Sequence, residues 1–560
     1  MKSIGKKHGK VYIFFKWFFR ILLMLILLSA VIFHKTIYDT GRVLLGQHLL
    51  EKGAKGLKYS ERSLTKEQML TDFDYLYRNS CTDSLVREQA EKYLGADYDS
   101  IYRTYRTRIE NCGDEYEFAA VMSSFMAKLP GVHGGVFPPA ADLNASMSGF
   151  PLFWELAYND VRETNYAYWI QFKDRMLSYT QKSAVACNYG GDYVFIEYSY
   201  GNDTIDDITN GRLLSLNGEP IRTAVRDLDT VHKWKYDESG GCVRVSNLIF
   251  NDSIGKEYDA EIEMPDGSII HKTLYNSAEY NFAVQYRRKY YPDDTGNSGD
   301  PGKKNGSKKC YTIETDGSRR LVYVKNDSCD YTQADMFFKE MTAALNETDA
   351  ENIIIDVRSN GGGSADFVTK GLCRAIFDKD TGFTNYSLMP KTDITELFWK
   401  NKFMGLLWEF EDKDGLIRYS DDFTAEGEAA KKYNIYILMS ASTFSSGDIF
   451  TSIAEAEDNV TLLGENTGGE GLTGSPLTLY LPESKLPFTF TPGISENKPG
   501  DNYIGTSPDI CCPNAWEDYL GYIEMLDDPD IGSKAGSLEY RYIWDKPFKE
   551  AIKIIDSRSQ

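Results

Sequence analysis

Histidine is scarce in this chain of 560 residues: there are six, at positions 8, 34, 48, 133, 232 and 271. Any chemistry that needs an imidazole must draw on one of them. Positive charge is also in deficit, with 62 Lys and Arg against 83 Asp and Glu and a net charge of −21. That balance argues against a nucleic-acid partner, because phosphate binding depends on clustered cations. The nine cysteines show no metal-ligand spacing, and an odd number gives no disulfide framework. Neighbouring Cys511 and Cys512 are poorly placed to bridge each other, whereas Cys81 and Cys112 could join two helices. No metal or cofactor is expected. A P-loop is excluded because no Lys-Ser/Thr pair follows `NGGGSADF`, and the G-x-G-x-x-G and G-x-S-x-G patterns are missing too.

What is present points to a multidomain globular protein. Hydrophobic residues make up 42%, enough for several cores. Near the start, Lys2, Lys6, Lys7 and Lys10 precede `VYIFFKWFFRILLMLILLSAVIF`, residues 11–33. No A-x-A-like cleavage site or lipobox cysteine follows, so residues 1–40 read as a signal anchor, or else as a cleaved signal peptide. Either one places the chain outside the cytoplasm, in the cell envelope. A membrane is then a partner through this segment.

Residues 58–185 read as a helical region, from apolar spacings of three and four in `LTKEQMLTDFDYLYRNS` and `DEYEFAAVMSSFMAKL`. The second run stops at Pro130-Gly131 and leads into `GVHGGVF`. Over 186–280 the period becomes two, with Asn-Gly and Asp-Gly turn signals and a helix expected in `RTAVRDLDTVHKW`. Residues 281–309 read as a flexible linker. Two βαβ units follow within 310–528: `RRLVYVKN`, `ADMFFKEMTAAL`, `ENIIIDVRS`, then `YNIYILMS`, `SGDIFTSIAEAE`, `NVTLLGE`. Residues 529–560 form a C-terminal extension.

Both `NGGG` (360–363) and `TFSSG` (443–447) fall at carboxyl ends of strands, where open α/β sheets bind ligands. The glycines serve a tight turn, or present bare N–H groups to an oxyanion. The hydroxyl cluster serves to cap a helix, or holds a nucleophile. His133, flanked by glycines, is the base to pair with it.

These motifs carry a family resemblance over most of residues 60–520. The stretches `IIIDVRSNGGGS` (353–364), `TFSSGDIFTSIAEAEDNVTLLGENTGG` (443–469) and `GTSPDI` (505–510) resemble the tail-specific, or C-terminal-processing, serine peptidases. `GRLLSLNGEPI` is similar to their PDZ-like domain. The resemblance implies a ClpP/crotonase-like α/β core, an N-terminal helical region and a β-rich PDZ-like domain. It implies Ser445 as nucleophile, because Asp448 matches the acidic residue three further on. Oxyanion donors would be the N–H groups of Ser446 and of Gly361 or Gly362. Many bacterial members carry a lysine base where this chain has Glu470, so a Ser–Lys dyad is not expected. The tricorn-like branch uses a histidine, which maps to His133, oriented by an acid near the C-terminal motif. Asp501 is taken as that acid, with Glu470 as the alternative. The expected function is an exported serine endopeptidase acting on polypeptides. The rival expectation is a catalytically inactive family member that binds or scaffolds peptides.

Overall fold

The computed structural model of the chain describes residues 63–82, 85–129, 133–136, 181–197, 203–237, 241–290, 309–392, 410–473, 477–484 and 486–558, with a few isolated positions besides. Residues 1–62 with 138–171 form one unit, of which only Leu22 and Met24 are described; residues 63–137 with 172–560 form the other. The apolar segment 11–33 therefore lies otherwise outside the described residues. Among those described, no helix is long and apolar enough to cross a membrane.

Four helices open the second unit: α1 (Lys66–Tyr77), α2 (Val86–Leu94), α3 (Tyr98–Asn111) and α4 (Glu115–Lys128). Thr65 and Gln68 form a capping box at the start of α1, and Asp114 caps α4 through the Glu117 N–H. Their apolar faces meet in an aromatic cluster, with Phe73 edge-on to Phe125 at 4.8 Å. Beyond α4 lies strand β1 (Gly135–Val136). Cys81 and Cys112, the pair that could join two helices, are buried but unbonded, and all nine cysteines are free.

Strands β2 (Ser183–Tyr189), β3 (Asp192–Ile196), β4 (Arg212–Leu216), β5 (Glu219–Pro220), β6 (Lys235–Asp237), β7 (Cys242–Arg244), β8 (Asn247–Asn251), β9 (Lys256–Glu263) and β10 (Ile269–Asn276) follow. Seven of them form an antiparallel sheet in the order β3-β2-β8-β10-β9-β4-β5, with β3 also pairing β4; β6 and β7 form a separate hairpin. Asn217 and Gly218, both at positive φ, make the two-residue turn between β4 and β5. The helix expected over 222–234 shrinks to Ile221–Ala224 and one 3-10 turn. The Asp-Leu-Asp-Thr run that follows favours side-chain-to-backbone bonds over helix continuation. Helix α5 (Ala278–Tyr290) fills the start of the expected linker, because Tyr280, Phe282, Ala283 and Val284 are buried and α5 packs on α4.

The α/β core contains β11 (Tyr311–Asp316), β12 (Leu321–Asn326), helix α6 (Ala334–Glu347), β13 (Asn352–Asp356), β14 (Thr384–Pro390), β15 (Phe410–Lys413), β16 (Leu416–Asp422), β17 (Asn434–Met439), helix α7 (Ser446–Ala454), β18 (Val460–Gly464), β19 (Leu477–Tyr480), β20 (Pro487–Phe490), β21 (Ile494–Ser495) and β22 (Ile510–Cys511). Its main sheet runs β11-β12-β13-β17-β18-β22, parallel except for β11. Alternation along each strand feeds two cores. Val322, Ile353, Ile355, Ile435 and Ile437 pack toward α6 and α7, while Tyr323, Ile354, Tyr436 and Leu438 meet Phe548, Ala551 and Ile555. Those last residues belong to α10 (Lys546–Arg558), preceded by α8 (Trp516–Asp527) and α9 (Leu538–Trp544). The C-terminal stretch thus covers one whole face of the sheet. Two small sheets complete the fold: β15-β16-β14-β21, and β1-β20-β19.

Candidate active site

Strand β17 ends at Met439 and the chain turns through residues 440–445 into α7. Two of the hydroxyls in that turn are structural. Ser440 Oγ donates to Arg358 O at 2.8 Å, and Thr443 Oγ1 donates to Val357 O at 2.9 Å. Ser445 behaves differently. It occupies the N-cap position of α7, yet its side chain caps nothing. Its backbone is at φ 55°, a region that non-glycine residues rarely enter and that concentrates at functional sites. The conformation is held from both sides, with Ser445 N–H donating to Gly469 O at 3.0 Å and Ser445 O receiving the N–H groups of Asp448 and Ile449 at 2.9 Å.

The glycine loop packs directly against this turn. A Cβ on Gly362 would lie 2.6 Å from Ser445 Cβ and 2.8 Å from Phe444 O, and its φ is +102°. Asn360 joins the two loops: its carbonyl accepts from Phe444 N at 2.9 Å and its Oδ1 from Gly362 N at 2.9 Å. The Gly362 N–H is therefore already used. The Gly361 N–H has no partner among the described residues, and neither does the N–H of Ser446 at the head of α7. Of the two glycines expected from the motif, only Gly361 has its N–H free to meet an oxyanion. The sequence offered no sign of Asn360's part beyond its place before the glycines.

His133 is positioned from a distance. Its carbonyl accepts from Thr489 Oγ1 at 2.7 Å, and β1 pairs with β20 through Gly135↔Thr489 and Val136↔Phe488. Its ring lies 4.7 Å from that of Phe444, the residue before Ser445. Its Nδ1 is 2.9 Å from Glu470 Oε2, and that carboxylate also receives Thr473 Oγ1 at 3.2 Å and Thr491 Oγ1 at 3.0 Å. Glu470 is buried and holds φ 63°. The acid expected second is thus the one that meets His133. Among the described residues, no hydrogen bond joins Ser445 Oγ to His133; such contacts often tighten only when substrate is bound.

Asp501, the acid expected first, lies next to Glu470, whose N–H donates to Asp501 O at 3.3 Å, but among the described residues no hydrogen bond joins its carboxyl to His133. It is buried and accepts from Leu472 N at 3.1 Å. Burial and the neighbouring Asp448 carboxylate push it well above the usual range. Asp448 ties α7 to two loops by accepting from Thr506 N at 3.2 Å, Gly471 N at 3.3 Å and Thr467 Oγ1. Sequence reasoning passed over Thr473 and Thr491, since hydroxyls 3 and 21 residues from Glu470 form no motif with it.

A serine freed from capping thus lies beside two N–H groups that are unpartnered among the described residues, after a parallel strand of the main sheet. Residues 320–511 match the model of peptidase family S41. The match covers the α/β core, and the chain is a serine-type peptidase. Solved structures with a similar fold include mature CPAF (15% identity, 88% of this chain and 99% of that chain covered, TM-score 0.47). Others are the photosystem II D1 C-terminal processing protease (13%, 84% and 99%, TM-score 0.35) and a putative S41 protease from Bacteroides fragilis (12%, 68% and 85%, TM-score 0.30). No curated protein matches the sequence.

Proposed function

We propose that the chain is an exported serine endopeptidase that cleaves polypeptides through an acyl-enzyme on Ser445. His133 takes the Ser445 Oγ proton as the oxygen attacks the scissile carbonyl. Glu470 keeps a proton on Nδ1 and stabilises the imidazolium that forms. The N–H groups of Gly361 and Ser446 receive the oxyanion, and removing one such donor typically costs about 3–4 kcal/mol. His133 then protonates the leaving amine, and water hydrolyses the acyl-enzyme by the same steps. The observation that carries this reading is the His133–Glu470 pair at 2.9 Å, held against the nucleophile's own turn.

Export and anchoring in the cell envelope rest on the basic and then apolar sequence of residues 2–33. The seven-stranded module is read as PDZ-like, presenting an extended peptide to the core by strand addition. A second reading, an inactive member that binds peptides, is favoured by the lack of a Ser445–His133 hydrogen bond among the described residues. Fluorophosphonate labelling of the full chain, read by mass spectrometry, separates the two. Label on Ser445 that is lost in Ser445→Ala and His133→Ala supports the peptidase. A folded chain that takes no label and cleaves no unfolded protein supports the binder.

A further inference from the structure

Glu470 meets His133 at 2.9 Å, yet the histidine is not the only group its charge reaches. Lys233 and Lys235 are close enough for the same carboxylate to act on both. Each lysine directs its Nζ to a backbone carbonyl, Lys233 to Met126 O and Lys235 to Gly468 O. A glutamate side chain turns about several bonds, and opposite charges attract it from a distance. Something has to keep this carboxylate on the histidine.

Two hydroxyls do so. Thr473 Oγ1 donates to Glu470 Oε2 at 3.2 Å, and Thr491 Oγ1 donates to the same oxygen at 3.0 Å. That oxygen is also the one facing His133 Nδ1. Both threonines are 1% exposed, so bulk water does not compete for their hydroxyls. Hydrogen bonds from a hydroxyl to a carboxylate are charge-assisted and stronger than neutral ones. Thr473 lies three residues from Glu470 and belongs to its own loop. Thr491 comes from elsewhere, directly after strand β20. Two residues before it, Thr489 Oγ1 donates to His133 O at 2.7 Å, and Thr489 is paired with Gly135 in the β1–β20 ladder. One short stretch therefore holds the base through Thr489 and the acid through Thr491.

We propose that Thr491 is a positioning residue of the peptidase: its hydroxyl aims the Glu470 carboxylate at His133, while Thr489 fixes the histidine to the same strand. Thr473 shares the task from the acid's own loop. The proposal rests on the peptidase reading for its effect on catalysis, and on the contacts at Glu470 Oε2 for its geometry. Without the Thr491 hydroxyl the carboxylate keeps a single threonine donor, and its charge is drawn toward Lys233 and Lys235. His133 then loses part of the counter-charge for its imidazolium and of the anchor for its tautomer.

The test is the rate of fluorophosphonate labelling at Ser445 in the full chain, which reads activation of the nucleophile without a known substrate. Thr491→Val, similar in shape and lacking the hydroxyl, should label about tenfold more slowly, and Thr491→Ser should restore most of the rate. Melting curves show that the variants fold, and Thr473→Val replaces Thr491→Val if the latter does not. In a Glu470→Ala chain, Thr491→Val should change the rate by less than about twofold, because Thr491 acts through that carboxylate. An unchanged rate in Thr491→Val overturns the proposal. So does an equal loss in the Glu470→Ala background, which makes Thr491 a support of the fold. If the unaltered chain takes no label, the peptidase reading fails and the positioning is read by proton NMR instead. The low-field Nδ1 proton of His133, identified by its loss in His133→Ala, should then shift or vanish in Thr491→Val. A resonance unchanged in that variant, or missing from the unaltered chain, overturns the proposal.

Discussion

Glu470 and Asp501 are both buried carboxylates close to the catalytic loops, and their surroundings give them opposite characters. Glu470 is ringed by donors: His133 Nδ1, Thr473 Oγ1 and Thr491 Oγ1. Asp501 faces Asp448, whose carboxylate together with burial pushes it well above the usual range. Glu470→Gln should therefore lower kcat by about 10²–10⁴-fold, because the imidazolium loses its counter-charge and the tautomer its anchor. Asp501→Asn, which removes a carboxyl facing Asp448, should leave kcat within about threefold and not lower the melting temperature at neutral pH. Steady-state kinetics on the two variants checks both. His232 supplies a pH dependence. Burial lowers it to about 4 from an ordinary 6.5, so the unfolded chain takes up a proton first as pH falls. Stability is thus lost as pH falls between those two values. His232→Asn should flatten that decline by about 1–2 kcal/mol in denaturant titrations.

At the scale of elements, the site depends on segments that place one another. The residues linking β19 to β20 are held by Asp72 of α1, which accepts from Glu483 N and Ser484 N at 2.7 Å each. The same hairpin pairs with β1 and thereby sets His133. Asp72→Ala leaves two backbone donors without an acceptor, which should cost about 1–3 kcal/mol of stability. It should also lower kcat more than it changes KM, because it shifts the base and spares the groups that meet the peptide. On the opposite side, Gly362→Ala puts a methyl group where Ser445 Cβ is 2.6 Å away, at a φ of +102°. Activity should fall by about 100-fold or more, with a loss of about 2–4 kcal/mol in unfolding experiments. The periods of α1, α4 and the two βαβ units were legible because each element needs only its own apolar spacing. The helix expected over 222–234 was not legible, because its apolar residues serve a short turn and a bend.

For the whole molecule, the C-terminal stretch is part of the core. Asp545 accepts from Arg358 at 2.6 Å and from Arg541 at 2.9 Å, tying α9 and α10 to the strand that leads into the glycine loop. Phe548, Ala551 and Ile555 close the sheet face formed by Tyr323, Ile354 and Tyr436. Asp545→Asn should destabilise by about 3–5 kcal/mol, because it leaves the buried Arg358 and Arg541 guanidiniums to share the one carboxylate of Asp356. Removing residues 538–558 should yield aggregated protein, visible by size-exclusion chromatography.

The sequence by itself determined the α/β core, the turn that carries Ser445 and the glycine loop, and it left His133 as the histidine to propose as base. Those follow from local periods, from glycines at strand ends and from the scarcity of histidine. Only the tertiary structure decided which acid meets His133, since that contact joins residues 337 apart in the chain. It also decided which glycine N–H stays free, because Asn360 consumes the one on Gly362. The same holds for Lys235 and Arg244, which become neighbours only through the strand register of the β6–β7 hairpin.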